Sequence, residues 1–417
     1  MNSQDPAFSE IESLRSEVAQ LREQFERRSI TSAELLPPPI DPQRLLPYDA
    51  VRAANSRGAF FLPGTDVYFR IDGYARGDVM YDTGFVGSGI QLFPSTIALD
   101  GSPDAQRRGQ TQLTGGQSRL SFDGQADSDI GHLRGYVELD FLKDGTDPRL
   151  RHVYGEWAEE DLDLIGGQTW STFMDPAALP GTIAETSAAG VIFRRQPQFR
   201  FTHSLNDAGN YSVAIEDPLS TDFTLPDPMT DVRLERWPDF VARIRIADKN
   251  IGSFQLASLV RGIGYEDTMS DEHLRTGWGV SATGKLLIGE RDSLGMGVAG
   301  GRGIGAYLAG LGANFSAAGP DVGGFRTLDA IGAFATCKHH WSEEFHSNLF
   351  YGYSTVDSTP LMPATAAKNI HNAGVNLIWS PRPGFGVGIE YNYGLREVRD
   401  GANADNHRIQ FGVQFGP

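Results

Sequence analysis

The sequence predicts an all-β protein: a 16-stranded antiparallel transmembrane β-barrel with a short N-terminal α-helical coiled coil. Three observations predict it. From about Gly64 onward apolar and polar residues alternate with period two, the signature of strands whose two faces meet different media. The connections between these segments mostly alternate between long and short. Glycine is 49 of 417 residues and Phe, Tyr and Trp make up 10%, yet mean hydropathy is only −0.30. That mixture suits many turns and close backbone approaches better than a helical enzyme.

Composition removes several alternatives. The formal charge is −17, the wrong sign for a general nucleic-acid binder. No run of about 18 apolar residues offers a transmembrane helix. A single cysteine, Cys337, makes neither an internal disulfide nor a multi-cysteine zinc site.

In chain order, residues 1–9 lack the basic start and apolar stretch of a signal peptide and read as the remnant of a leader or an expression scar. Residues 10–30 place Ile11, Leu14, Val18, Leu21 and Phe25 at spacings of 3, 4, 3 and 4, an a/d seam of a short coiled coil. A helix this short is marginal alone and needs chains already held together. The other reading is one amphipathic helix packed on a domain. Residues 31–63 hold Pro37, Pro38, Pro39, Pro42 and Pro47, an extended semi-rigid linker.

Residues 64–417 form the barrel domain. Strand segments are expected near 66–82, 110–124, 130–143, 149–159, 161–169, 192–204, 210–217 and 238–248. Eight more fall near 252–262, 275–288, 292–301, 325–338, 344–355, 370–380, 384–397 and 406–415. Most approach the roughly 10 residues that cross a bilayer as a tilted strand. Inside lipid every backbone amide must be paired within the protein, and strands achieve that only in a sheet without edges. A soluble sandwich or propeller shares the period but has no reason to sort loop lengths by end. Tyr81, Trp157, Trp278, Tyr351, Tyr353, Trp379 and Tyr393 fit aromatic girdles at the two interfaces.

The candidate site is the water-filled lumen. By parity Arg70, Arg119, Arg134, Arg194, Arg200, Arg243 and Arg245 fall on the polar face, where guanidinium groups attract and guide carboxylates. The alternative is that wall carboxylates such as Asp72, Asp123, Glu138, Asp140 and Glu390 pair with arginines and leave a nearly neutral lumen. Residues 170–191 are expected to fold inward as the constriction, with Asp175 and Glu185 shaping the eyelet. No metal or cofactor is expected. His339, His340 and His346 with Glu343 and Glu344 lack a regular ligand spacing, and the Gly300–Gly312 stretch leads into no phosphate-binding helix. No nucleophile–base pair stands out, so the protein is not read as an enzyme.

Several stretches resemble a known family. Phe60 to Asp66 (FFLPGTD) runs into the first strand with Ile71-Asp72-Gly73-Tyr74; Gly167 to Pro176 reads GQTWSTFMDP; Arg195-Gln196-Pro197-Gln198 opens another strand. With the coiled coil ahead of them, these resemble the DcaP-like porins of Gram-negative outer membranes. The resemblance implies a homotrimer in lipopolysaccharide and phospholipid, with the coiled coil in the periplasm. It implies passive diffusion of small anionic solutes, dicarboxylates among them, through a basic constriction. Two alternatives stay open: an outer-membrane anchor tethering toward peptidoglycan through the coiled coil, and a general non-selective porin. The chain departs from the family in ending Phe415-Gly416-Pro417, past the usual terminal aromatic.

Overall fold

The computed structural model describes Gln20, 59–61, 67–87, 90–142, 147–184, 188–205, 208–218, 223–311 and 317–416. The chain divides into two units, Met1–Pro47 and Tyr48–Pro417. Of the first only Gln20 is described, in helical conformation, so the expected coiled coil at 10–30 lies outside the described residues.

The second unit is a closed antiparallel barrel, and its described residues form sixteen wall strands. These begin with β1 Tyr68–Asp82, β2 Arg119–Ser128, β3 Gly131–Asp140, β4 Arg149–Glu159, β5 Leu162–Trp170, β6 Arg195–Ser204, β7 Gly209–Glu216 and β8 Asp239–Asp248. They continue with β9 Gly252–Glu266, β10 Glu272–Ile288, β11 Asp292–Arg302, β12 Asp329–His340, β13 Phe345–Val356, β14 Ala367–Arg382, β15 Phe385–Val398 and β16 Asn403–Phe415. Each strand pairs with its sequence neighbour, and β1 pairs with β16 from Ala75↔Phe415 to Asp82↔Arg408, which removes the last edge.

Three short pieces extend the wall. Gln110–Thr114 pairs with the outer half of β1 while β2 pairs with its inner half, so one spanning strand is split by a break at 115–118. Val232–Leu234 likewise prolongs β8 along β9. Ala59–Phe61, inside the expected linker 31–63, is a strand paired with β1 at Arg70, Phe69 and Tyr68. It continues the β1 edge below the point where β16 ends.

The molecule is inside out relative to a soluble protein. Ile71, Val79, Phe199, Val213, Ile246, Phe254, Leu256, Val298, Leu349, Ile389 and Phe411 are exposed on the outer face. Asp123, Arg134, Glu138, Glu156, Arg200, Glu216, Gln255 and Glu390, one residue out of phase, are buried toward the lumen. A two-residue alternation sorts these sets because successive side chains leave opposite faces of a strand. At one end the turns are short: 129–130, 160–161, 249–251, 289–291 and 383–384. Asp248 shapes one of them by accepting from the amides of Asn250 at 2.8 Å and Ile251 at 3.0 Å. The long connections 83–118, 171–194, 217–238 and 303–328 lie at the other end. The long loop expected at 263–274 is instead a five-residue turn, because β9 and β10 run on to Glu266 and Glu272.

Candidate functional site

The loop 171–194 leaves β5 and turns into the lumen. Asp175 starts the turn: its side chain accepts from the Ala177 amide at 3.1 Å, and Pro176, which has no amide hydrogen to lose, opens the short 3-10 segment Pro176–Ala178. Wall groups then bind the loop along its length. Glu216 of β7 accepts from the Ser171 hydroxyl at 2.6 Å and the Thr172 amide at 2.7 Å. Gln255 of β9 donates to the Met174 carbonyl at 3.1 Å. Asp175 accepts from Arg245 of β8 at 2.7 Å and Thr283 of β10 at 2.8 Å. Asn376 of β14 donates to the Gly181 carbonyl at 2.8 Å. Glu390 of β15 accepts from the amides of Ile183 at 2.6 Å and Ala184 at 3.0 Å. Arg76 of β1 donates to the Ile183 carbonyl.

The return path lies on wall glycines. A Cβ on Gly352 would sit 2.0 Å from the Ala189 carbonyl oxygen, so only glycine in β13 lets the loop backbone approach this closely. Gly190, at φ +83°, would place a Cβ 2.5 Å from the Ala333 backbone. A second loop, 303–311, meets the first. The Phe193 amide donates to the Tyr307 carbonyl at 2.9 Å, and Phe173 and Tyr307 meet edge to face with ring centres 5.8 Å apart. The Tyr307 hydroxyl donates to Asp239 at 2.6 Å and accepts from Gln196 at 2.9 Å. These loops are bound along the wall from β7 round to β15, so the opposite side, β2–β6, is the more open one, with Arg243 and Arg245 of β8 at its border.

The open side carries the arginines, most of them ion-paired. Arg134 holds Asp123 with two parallel bonds of 2.8 and 3.1 Å and approaches Glu156 at 3.5 Å. Arg70 reaches the same Asp123 at 3.1 Å. Arg119 lies 3.7 Å from Glu138, and Arg149 and Arg151 share Asp140 at 2.7 and 2.8 Å. Arg200 and Arg243 differ. Neither has a carboxylate within ion-pair distance among the described residues, and each buries an Nε with no acceptor there. Among the described residues Arg243 donates to the Ser212 hydroxyl, at 2.7 Å. The register sets Arg243 opposite Ser212, and Arg200 opposite Ala214 two residues along the same strand, so the two are diagonal neighbours across β7.

The structure thus brings Arg70, Arg119, Arg134, Arg200, Arg243 and Arg245 to the inner wall. Arg194 stands at the loop's end, donating to the Ala306 carbonyl at 3.3 Å with its guanidinium over the Tyr307 ring. Asp175 faces the wall rather than the water, with both oxygens engaged. Glu185 lies outside the described residues. Sequence reading missed Arg149, Arg151, Glu216, Asp239 and Tyr307. The two β4 arginines escaped because a register shift at Glu138/Leu139 lets Arg151 and His152 both turn inward, which breaks simple parity. Glu216 ends a strand whose inward set also includes Asn210 and Ser212, a polar alternation that could have revealed it.

A closed strand cylinder, apolar outside, charged inside and narrowed by an inserted loop, defines the class of outer-membrane channels, the porins. A model of the DcaP outer membrane protein family matches residues 62–415, and the chain belongs to that family. Among solved structures it is similar to the outer membrane channel DcaP of Acinetobacter baumannii, at TM-score 0.74 and 22% identity, covering 86% of this chain and 100% of that one. An anion-selective porin from Comamonas acidovorans shares the fold at TM-score 0.55 and 9% identity, covering 84% of this chain and 100% of that one. The trimer form of OmpT from Vibrio cholerae shares it at TM-score 0.52 and 13% identity, covering 85% and 100%. No curated protein matches the chain by sequence.

Proposed function

We propose that this outer-membrane channel gives passive, anion-preferring diffusion to small organic acids, carboxylates and dicarboxylates included. Loop 171–194 is the constriction, and Arg200 with Arg243 is the point where the anion is drawn through. The observation that carries this reading is that, among the described residues, these two guanidinium groups have no carboxylate within ion-pair distance, whereas Arg70, Arg119, Arg134 and Arg245 do. A solute carboxylate at 4 Å gains about 4 kcal/mol from a guanidinium at an effective dielectric of about 20, against about 1 kcal/mol in bulk water. That is enough to favour entry and too little to trap the solute. The ion pairing of the other four favours a second reading, a general porin with weak selectivity. The homotrimer and the periplasmic coiled coil of residues 10–30 belong to the proposal too, the former supported by the trimeric OmpT likeness.

The deciding measurement is the reversal potential of single channels in a potassium chloride gradient. Anion preference is expected in the native channel and a marked fall in the Arg200→Gln/Arg243→Gln double variant. A native channel that prefers cations overturns the anion reading, and an unchanged double variant overturns the role of these two residues.

A further inference from the structure

We infer that Glu216 and Glu390 are positioning residues: two carboxylates on opposite walls that clamp the two ends of loop 171–184 and thereby set the size cut-off of the channel. The inference rests on the channel reading but not on anion preference.

Both side chains are about 1% exposed, and neither has an ion-pair partner among the described residues. An ionised carboxylate buried without a cation is costly unless its lone pairs are filled. Here the loop fills them. On Glu390, Oε2 accepts from the Ile183 amide at 2.6 Å and Asn376 at 2.8 Å; Oε1 accepts from the Ala184 amide at 3.0 Å and Asn392 at 2.6 Å. Four donors saturate the four lone-pair positions of one carboxylate. On Glu216, Oε2 accepts from Ser171 at 2.6 Å and Gln196 at 2.7 Å, and Oε1 accepts from the Thr172 amide at 2.7 Å. In both cases two of the donors come from the loop, and in both a loop backbone amide is one of them.

Placement makes these clamps more than local bonds. Glu216 is on β7 and Glu390 on β15, eight strands apart in a sixteen-strand wall, so the clamps face each other across the lumen. The eleven Cα–Cα steps from Thr172 to Ile183 reach at most about 40 Å when extended. Half the wall's circumference is about 50 Å at the strand spacing and tilt of such barrels. The loop therefore runs inside the wall, and holding both ends leaves it little slack. At the far clamp Ile183 is gripped on both sides, its amide by Glu390 and its carbonyl by Arg76.

Glutamate is required because every group aimed at it is a donor. Glu390→Gln turns one acceptor into an NH₂, and whichever oxygen is replaced then faces a loop amide, of Ile183 or of Ala184, that can only donate. The test uses the full chain reconstituted in planar bilayers and in liposomes, with Glu390→Gln and Glu216→Gln made separately. Heat-modifiable gel mobility confirms that each barrel is closed. Losing a charged hydrogen-bond pair is expected to shorten the dwell time of the quiet conducting level on the order of tenfold. Uncharged sugars excluded by the native channel should then enter liposomes. Closed barrels with native current noise and native sugar exclusion in both variants would overturn the clamp. Because the sugars are uncharged, this outcome is independent of whether the native channel prefers anions.

Discussion

Several carboxylates in this lumen neutralise an arginine, hold a loop, or do both. Asp123 neutralises: it carries Arg134, Arg70 and the Gln125 amide at 3.1 Å. Glu216 and Glu390 hold the loop. Asp175 does both, bridging Arg245 to the turn it caps. Parity in the sequence assigns the arginines to the polar face, but pairing depends on cross-strand register, which a single strand does not reveal. Arg134 meets Asp123 because Gln125 lies opposite Arg134 one pleat away, and nothing within 130–143 carries that information. Asp123→Ala takes the nearest carboxylate from one fully buried guanidinium, Arg134, and frees a half-buried one, Arg70. It is expected to cost about 3–5 kcal/mol of stability, read from urea unfolding in lipid. The same change should raise anion preference, because Arg70 then faces water unpaired. A stability loss with no change in reversal potential would mean Arg70 does not see the permeating ion.

At the scale of elements, the wall was legible because its period is two and its register is enforced by lipid on one side. Each strand expected from alternation is present, most with ends shifted by a few residues. What alternation could not show was backbone that leaves the period: the break at 115–118, the edge piece at 59–61, and loop 303–311 turned inward. These are set by glycine and by contacts distant in sequence. The β9–β10 turn illustrates local control. Asp267 accepts from the amides of Met269 at 2.9 Å and Asp271 at 3.0 Å and from His273 at 2.9 Å. The His273 bond first, and those amides after it, hold the Asp267 carboxyl below its usual range. A depressed carboxylate stabilises the fold above its unfolded value, about 3.9, and loses that effect as pH falls through the lower folded value. Hydrogen exchange at Met269 and Asp271 should thus stay slow from neutral pH down to about 4 and accelerate only below it. Acceleration already well above pH 4 would show that the Asp267 carboxylate does not control the turn.

For the whole molecule, padding and charge are distributed unequally. The loops are bound along one side of the lumen, and Arg119, Arg134, Arg149, Arg151 and Arg200 of β2–β6 line the other. Outside, that second side is smooth. Gly124, Gly135, Gly155 and Gly166 lie opposite one another on β2 to β5, forming a row on the outer face, and the space over Gly135 is open. If the proposed trimer meets along this face, Gly135→Trp should shift native gels from trimer to monomer while each barrel still conducts. A trimer unaffected by the change would place the contact on other strands. The pairing that seals the cylinder has its own consequence for biogenesis. Ala75 pairs opposite Phe415, so the join that makes the protein tolerable to lipid unites the first wall strand with the sixteenth and waits until both are in place. Until then two strand edges stay open and a belt of oily side chains has no membrane around it. The chain must therefore be escorted unfolded to its destination and completed there, and shortening it by the final strand should leave no smaller pore but an aggregate.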